Sequence, residues 1–270
     1  MDIMAVIKPI LAIGSMGGLF GIGLGIAAKK FAVPVDSKVE KIRENLPGAN
    51  CGGCGFAGCD AFAKAVASGE AKVNGCPVSS QDQKAALAQI MGEEVVEGPK
   101  QVAIVRCQGN NKLAFERYQY EGIKTCEDAH LVGGGPKACV YGCLGYGSCQ
   151  KVCPFNAITI EDGLAKIHEE KCQACGVCVA ACPRQLIYIG DANTKYQVMC
   201  KSYDKGKKVK ENCQIGCIGC GLCVKQCEYG AITMENGLAT IHETMCTGCG
   251  KCIQKCPTHA LVFRNQDIIK

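Results

Sequence analysis

Tryptophan is absent from this chain of 270 residues, and aromatic side chains make up only 6% of it. So little bulk leaves a thin apolar core for the length and excludes a fold held by aromatic packing alone. Another source must supply much of the folding free energy, and metal ligation is the one the composition offers. The uncharged run at residues 9–28 contains no ionisable side chain, which reads as an anchor rather than an ion path. No strand pattern precedes Gly53-x-Gly55-x-x-Gly58, and cysteines interrupt it. The phosphate-cradling context of a dinucleotide fingerprint is therefore missing, and the residues offer no site for NAD or flavin.

Cysteine is abundant instead, at 24 residues. In a secreted chain this would suggest disulfides, but thiols two residues apart suit a metal better than each other. The runs Cys172-x2-Cys175-x2-Cys178-x3-Cys182-Pro183 and Cys246-x2-Cys249-x2-Cys252-x3-Cys256-Pro257 follow the bacterial ferredoxin spacing, as does Cys217-x2-Cys220-x2-Cys223-x3-Cys227 without the proline. In that spacing three thiolates hold one four-iron cube and the fourth reaches another. Zinc also takes Cys-x2-Cys pairs, but it does not call for four-cysteine runs ending in Cys-Pro. Such a chain carries electrons and needs a reducing compartment. The formal charge of +5 is no argument for nucleic acid, because cubes with their thiolates are anionic and offset it.

The pattern divides the chain into an anchor (1–30), a four-iron module (31–91), a linker (92–99) and two ferredoxin-like repeats (100–190 and 191–270). The expected class is α+β: an N-terminal transmembrane helix, a small helical module with one [4Fe-4S] cube, and two tandem 2[4Fe-4S] repeats. The apolar run spans roughly 30 Å as a helix, enough for a bilayer. Gly17, Gly21 and Gly25, with Gly14 and Gly18, form small-xxx-small patterns that admit a second helix. Lys29, Lys30, Lys38, Lys41 and Arg43 follow the run and only Lys8 sits just before it, so the N-terminus is expected outside and the rest in the cytoplasm. In the module, Cys51, Cys54, Cys59 and Cys76 form one set on a glycine-rich loop. A short helix is expected from Asp60 to Ser68, and a second from a Ser79/Ser80–Gln83 start to about Met91. Residues 92–99 show no periodicity and read as a linker.

The remainder repeats at an offset of 74 residues, and 153–183 matches 227–257 at 17 of 31 positions. A hairpin over residues 157–167, turning at Asp162-Gly163, is predicted between cysteine loops. Crossed wiring groups Cys217, Cys220, Cys223 with Cys256; Cys246, Cys249, Cys252 with Cys227; and Cys172, Cys175, Cys178 with Cys153. The fifth cube is irregular, because Tyr146 stands where the second repeat has Cys220. Cys143, Cys149 and Cys182 fit the scheme, and Cys139 is the expected replacement. Cys107, Cys126, Cys200 and Cys213 are then left over. They build a sixth cluster between the repeats, or stay as buried thiols or a three-iron site; a swap of Cys126 or Cys107 with Cys139 is also open. His168 and His242 read as residues of repeat conformation. The five lysines from Lys201 to Lys210 read as a solvated loop, or as a surface that steers an acidic ferredoxin.

The Cys51–Cys76 module, the preceding apolar run and the trailing ferredoxin motifs together resemble the B subunits of Rnf complexes, which are ion-translocating ferredoxin:NAD+ oxidoreductases. The resemblance covers essentially the whole chain, and the long form is similar to those of anaerobic, clostridial-type bacteria. The family usually has a single pair of ferredoxin cubes, so the duplicated pair is a departure. The resemblance implies an oxidoreductase subunit without bond-making chemistry of its own. It implies electrons accepted from soluble ferredoxin and relayed to membrane and peripheral partner subunits, on which NAD and flavin would sit. The expected place is the cytoplasmic membrane, by a single pass. The alternative is the polyferredoxin subunit of a membrane hydrogenase or formate dehydrogenase. A corrinoid methyl-transfer role lacks the barrel and cobalamin domain it needs.

Overall fold

In the computed structural model residues 3–31, 36–94 and 98–264 are described. Residues 1–2 of the expected anchor, 32–35, 95–97 of the expected linker and 265–270 of the second repeat lie outside that description. The chain opens with helix α1 (Ile3–Lys30). Large apolar side chains along it stay exposed, including Ile13, Leu19, Phe20 and Leu24. A Cβ added to any glycine between Gly14 and Gly25 would meet nothing within 4 Å. Among the described residues, however, no helix is long and apolar enough to cross a membrane. The side chains of residues 9–12, the first part of the span expected at residues 9–28, lie outside the description, and that span is not shown.

Helices α2 (Ser37–Glu44), α3 (Cys59–Ala67) and α4 (Gln81–Met91) form the next unit. Both predicted helices appear at the expected places. The Ser80 hydroxyl accepts from the Gln83 backbone while the Gln83 side chain accepts from the Ser80 N–H, and Gly92 closes α4 in a left-handed conformation. Ile42, Phe62, Val66 and Leu87 are fully buried between the three helices. Each such side chain contributes about 1.5–3 kcal/mol through removal from water. Phe56 stacks edge-on to Phe62 at 5.6 Å, so the cysteine loop is tied to this core.

Strand β1 (Gln101–Val105), helix α5 (Cys126–Leu131), helix α6 (Ser148–Lys151), strands β2 (Ile158–Glu161) and β3 (Leu164–Ile167), helix α7 (Val177–Ala180) and strand β4 (Ile187–Asp191) follow. β1 pairs antiparallel with β4 from Gln101↔Asp191 to Val105↔Ile187. β2 and β3 form the predicted hairpin, and Asp162 and Gly163 both take positive φ (48° and 72°), as a primed two-residue turn requires. The second repeat reproduces this plan with β5 (Tyr196–Val198), α8 (Gly206–Asn212), α9 (Leu222–Gln226), β6 (Ile232–Glu235), β7 (Leu238–Ile241), α10 (Lys251–Gln254) and β8 (Leu261–Phe263). β5 pairs with β8, and β6 with β7. Of the lysine-rich stretch read as a loop, residues 206–210 enter α8, and Lys208 there pairs with Asp204 at 2.8 Å. His168 and His242 bond Thr159 and Thr233 at 3.0 and 2.9 Å, equivalent contacts in the two repeats. Each repeat has its own small apolar core. They are joined by the Ala114↔Cys213 bridge, by Gln108 donating to the His259 carbonyl at 2.7 Å, and by Arg264 against Glu169 at 2.8 Å.

Candidate iron–sulfur sites

All 24 cysteines are free thiols, and the fold sorts most of them into sets of four. In the helical unit, Cys54, Cys59 and Cys76 pack on the core around Phe62, while Cys51 sits at the rim. Positive φ at Gly52, Gly55 and Gly58 lets the loop curl. The Asn50 side chain accepts from the Cys59 N–H at 2.8 Å and so positions the start of α3. Sequence reasoning passed over Asn50, although an asparagine before a Cys-Gly-Gly loop is a turn signal.

In the first repeat, Cys153, Cys172, Cys175 and Cys178 line one cavity. In the second, Cys217, Cys220, Cys223 and Cys256 line another. Cys246 and Cys249 act electrostatically on Cys252, and Cys227 packs on the same core as Cys252.

Around the irregular set the structure follows the swap left open above. Cys126, not Cys139, shares a cavity with Cys143, Cys149 and Cys182. Tyr146, at the position matching Cys220, turns instead onto Tyr120, with ring centres 5.7 Å apart. The segment before it holds α5, whose first residue is Cys126. Thr125 caps α5 by accepting from the Asp128 N–H at 3.1 Å, and the Cys126 N–H donates to Ser148 at 2.9 Å. Cys139 lies on the far side of the same loop. There it lines a third kind of cavity with Cys107, Cys200 and Cys213, between the two repeats. The leftover thiols thus do gather, with Cys139 in place of Cys126.

These sites suit anionic cubes. Backbone N–H groups donate to the sulfurs of Cys172 (from Ala103, 3.3 Å), Cys153 (from Ala157, 3.4 Å), Cys182 (from Leu186, 3.4 Å), Cys107 (from Cys143, 3.4 Å) and Cys200 (from Ser202, 3.4 Å). Glycines keep the room free. A Cβ on Gly142 would lie 3.5 and 3.6 Å from the Cys139 and Cys107 sulfurs, and one on Gly109 would lie 3.3 Å from that of Cys213. Among the described residues no three His, Cys, Asp or Glu side chains close on a point as the ligands of one ion would. A cube spreads its thiolates over separate corners. Burial pushes the thiols of Cys149, Cys178 and Cys200 up to about 12 and those of Cys143 and Cys223 up to about 11, so iron must displace protons to bind.

Each set adjoins the next. Gly53 abuts the Cys175 backbone so closely that a Cβ would fall 2.4 Å from the Cys175 carbonyl oxygen, and Cys51 acts electrostatically on Cys175. Cys149 feels Cys178. Cys143 donates its N–H to Cys107. The Cys217 backbone hydrogen-bonds Cys200. Cys223 and Cys252 share one core. Cys220 and Cys249, at the far end, are exposed.

Two buried cations were not foreseen. Lys137 is 2% exposed and lines the cavity between the repeats, and Arg184, 7% exposed, lines the Cys126 cavity. The 74-residue offset carried a signal: the second repeat has Glu211 and Thr258 at those positions.

A family model described as "Putative Fe-S cluster" matches residues 46–78. Models described as "4Fe-4S dicluster domain" match 132–183 and 216–260. The chain therefore carries multiple [4Fe-4S] clusters. It is 46% identical over 238 residues to the B subunit of the Na(+)-translocating ferredoxin:NAD(+) oxidoreductase complex of Acetobacterium woodii, covering 88% of this chain and 72% of that protein. It is 40% identical to the B subunit of the ion-translocating oxidoreductase complex of Methanosarcina acetivorans, covering 88% and 90%. It is 41% identical to the B subunit of the proton-translocating ferredoxin:NAD(+) oxidoreductase complex of Clostridium ljungdahlii, covering 89% and 85%.

Proposed function

The chain belongs to the family of B subunits of ion-translocating oxidoreductase (Rnf) complexes, and on that footing we propose that it takes electrons from reduced soluble ferredoxin and hands them to partner subunits. Bound four-iron cubes supply the one-electron carriers. The chain's residues supply the thiolates, the backbone donors to sulfur and the spacing between sites. The observation that carries the proposal is the unbroken succession of thiol sets. It runs from the exposed Cys220 and Cys249, through the Cys107–Cys139–Cys200–Cys213 set, to the Cys51–Cys76 loop against Cys175. In this reading all 24 cysteines are ligands, and six cubes are bound. The division at 31–91, 92–99, 100–190 and 191–270 belongs to the same proposal.

Residues of α1 form the membrane attachment in this account. Their exposed apolar side chains and glycine stripe support a helix that seats against a partner's helix rather than spanning alone. The lysines after α1 favour an outside N-terminus and cluster units in the cytoplasm. NAD and flavin belong to the partners. The names of the relatives favour this assignment over the polyferredoxin of a hydrogenase or formate dehydrogenase.

Replacing Cys59 by alanine tests the direction of flow. Reduction of the chain by ferredoxin is expected to persist, and transfer to the membrane partners to stop. Undiminished transfer would overturn the direction.

A further inference from the structure

The charges around the thiol sets are distributed unevenly. The cavities of Cys153–Cys178 and Cys217–Cys256 have no ionisable side chain in their walls other than the cysteines. The cavity between the repeats has Arg106, Lys137 and Lys201, and no carboxylate. Lys137 is the deepest of these. Its ammonium donates to the carbonyls of Gly109 at 3.0 Å and Gly163 at 2.9 Å. Arg184 stands behind the same loop, donating to the carbonyls of Cys139 (2.9 Å), Gly142 and Gly134. All five acceptors are neutral. The nearby carboxylates are engaged elsewhere: Asp162 pairs with Lys112, and Asp204 with Lys208. Glu116, which bridges to Lys137 through the backbone, is exposed. Buried cations without a counter-ion are costly. The anion that completes this arrangement is the cluster held by Cys107, Cys139, Cys200 and Cys213.

A cluster gains negative charge on reduction, so a fixed buried cation favours its reduced form. We propose that Lys137, supported by Arg184, makes this centre a stronger electron acceptor than its ferredoxin-type neighbours, so that electrons collect at the joint between the repeats. Lys137 and Arg184 are positioning residues that set a potential. The proposal rests on the six-cube reading above.

The test is a redox titration of the full chain, purified anaerobically with its clusters and followed by low-temperature electron paramagnetic resonance. Cys200→Ser identifies the signal of this centre; iron content and spectra unchanged by that substitution would overturn the six-cube reading itself. With the signal assigned, Lys137→Met is expected to lower its reduced-to-oxidised ratio about tenfold at fixed poise, which is 59 mV for one electron. The other signals should stay in place, and Lys137→Arg should restore most of the ratio. If Lys137→Met sheds iron, Lys201→Met on the outer wall decides the matter with a smaller shift in the same direction. An assigned centre whose ratio does not move in an iron-replete variant would overturn the electron-well proposal alone.

Discussion

The two ferredoxin-like repeats share a strand plan and most of their cysteine spacing, yet they assemble their thiols by different routes. The second repeat keeps the regular spacing. Cys217, Cys220 and Cys223 close a cavity with Cys256, and the hairpin of Ile232–Glu235 and Leu238–Ile241 supports it. The first repeat has Tyr146 at the position of Cys220 and takes its fourth thiol from Cys126, on a separate short helix. Short spacing determines a set when every member is present. When one is missing, the chain's longer excursions decide which thiol arrives. The excursion that delivers Cys126 also frees Cys139 to meet Cys107, Cys200 and Cys213, so a single replacement accompanies a new site between the repeats.

The most damaging way to probe this comparison is to remove each of the two exchanged thiols in turn. Cys126→Ser and Cys139→Ser should each cost about four iron per chain, the content of one cube. They should remove different resonance signals. Loss of the same signal in both variants would break the comparison. Adding Tyr146→Cys to Cys126→Ser sharpens it, since the regular ligand set is then restored and iron content should recover.

A second, intermediate effect concerns pH. In the iron-free chain, burial raises the folded-state thiols of Cys149, Cys178 and Cys200 to about 12, above the ordinary 9.0. The folded state then holds protons that the unfolded state has released. Its stability is complete below pH 9 and declines as pH climbs toward 12. Denaturant midpoints of the iron-free chain should fall between pH 8 and pH 11, and a rising midpoint would contradict the burial. Iron loading follows the opposite sign, because protons compete with the metal, and should strengthen as pH rises toward 9.

The smallest expected effect lies in the helical unit, at a cap distant in sequence from either repeat's cysteines. Ser80→Ala removes one half of the capping box on α4 and should cost about 1 kcal/mol. Chemical unfolding of the full chain should register it without any change in iron content.

Much of this architecture was legible in the residues. The Asp162-Gly163 turn and the Ser80–Gln83 cap depend on neighbours close in sequence, and the crossed sets around Cys178 and Cys223 on a regular spacing that the cysteine runs themselves display. The exchange of Cys126 for Cys139 was not legible as a single answer. It depends on how the segment after Cys107 folds back, and that path is fixed by Thr125, Ser148 and the Tyr120–Tyr146 contact. The burial of Lys137 was hidden for the same reason, since its partners are carbonyls of Gly109 and Gly163, distant in sequence.

The claim on which the account rests is that all 24 thiols are committed to iron. Iron and acid-labile sulfide, counted on chain purified without oxygen, test it most directly. Six cubes require about 24 iron per chain, at four per cube. A reproducible value of about 20, with four thiols still open to alkylation in the folded protein, would contradict it.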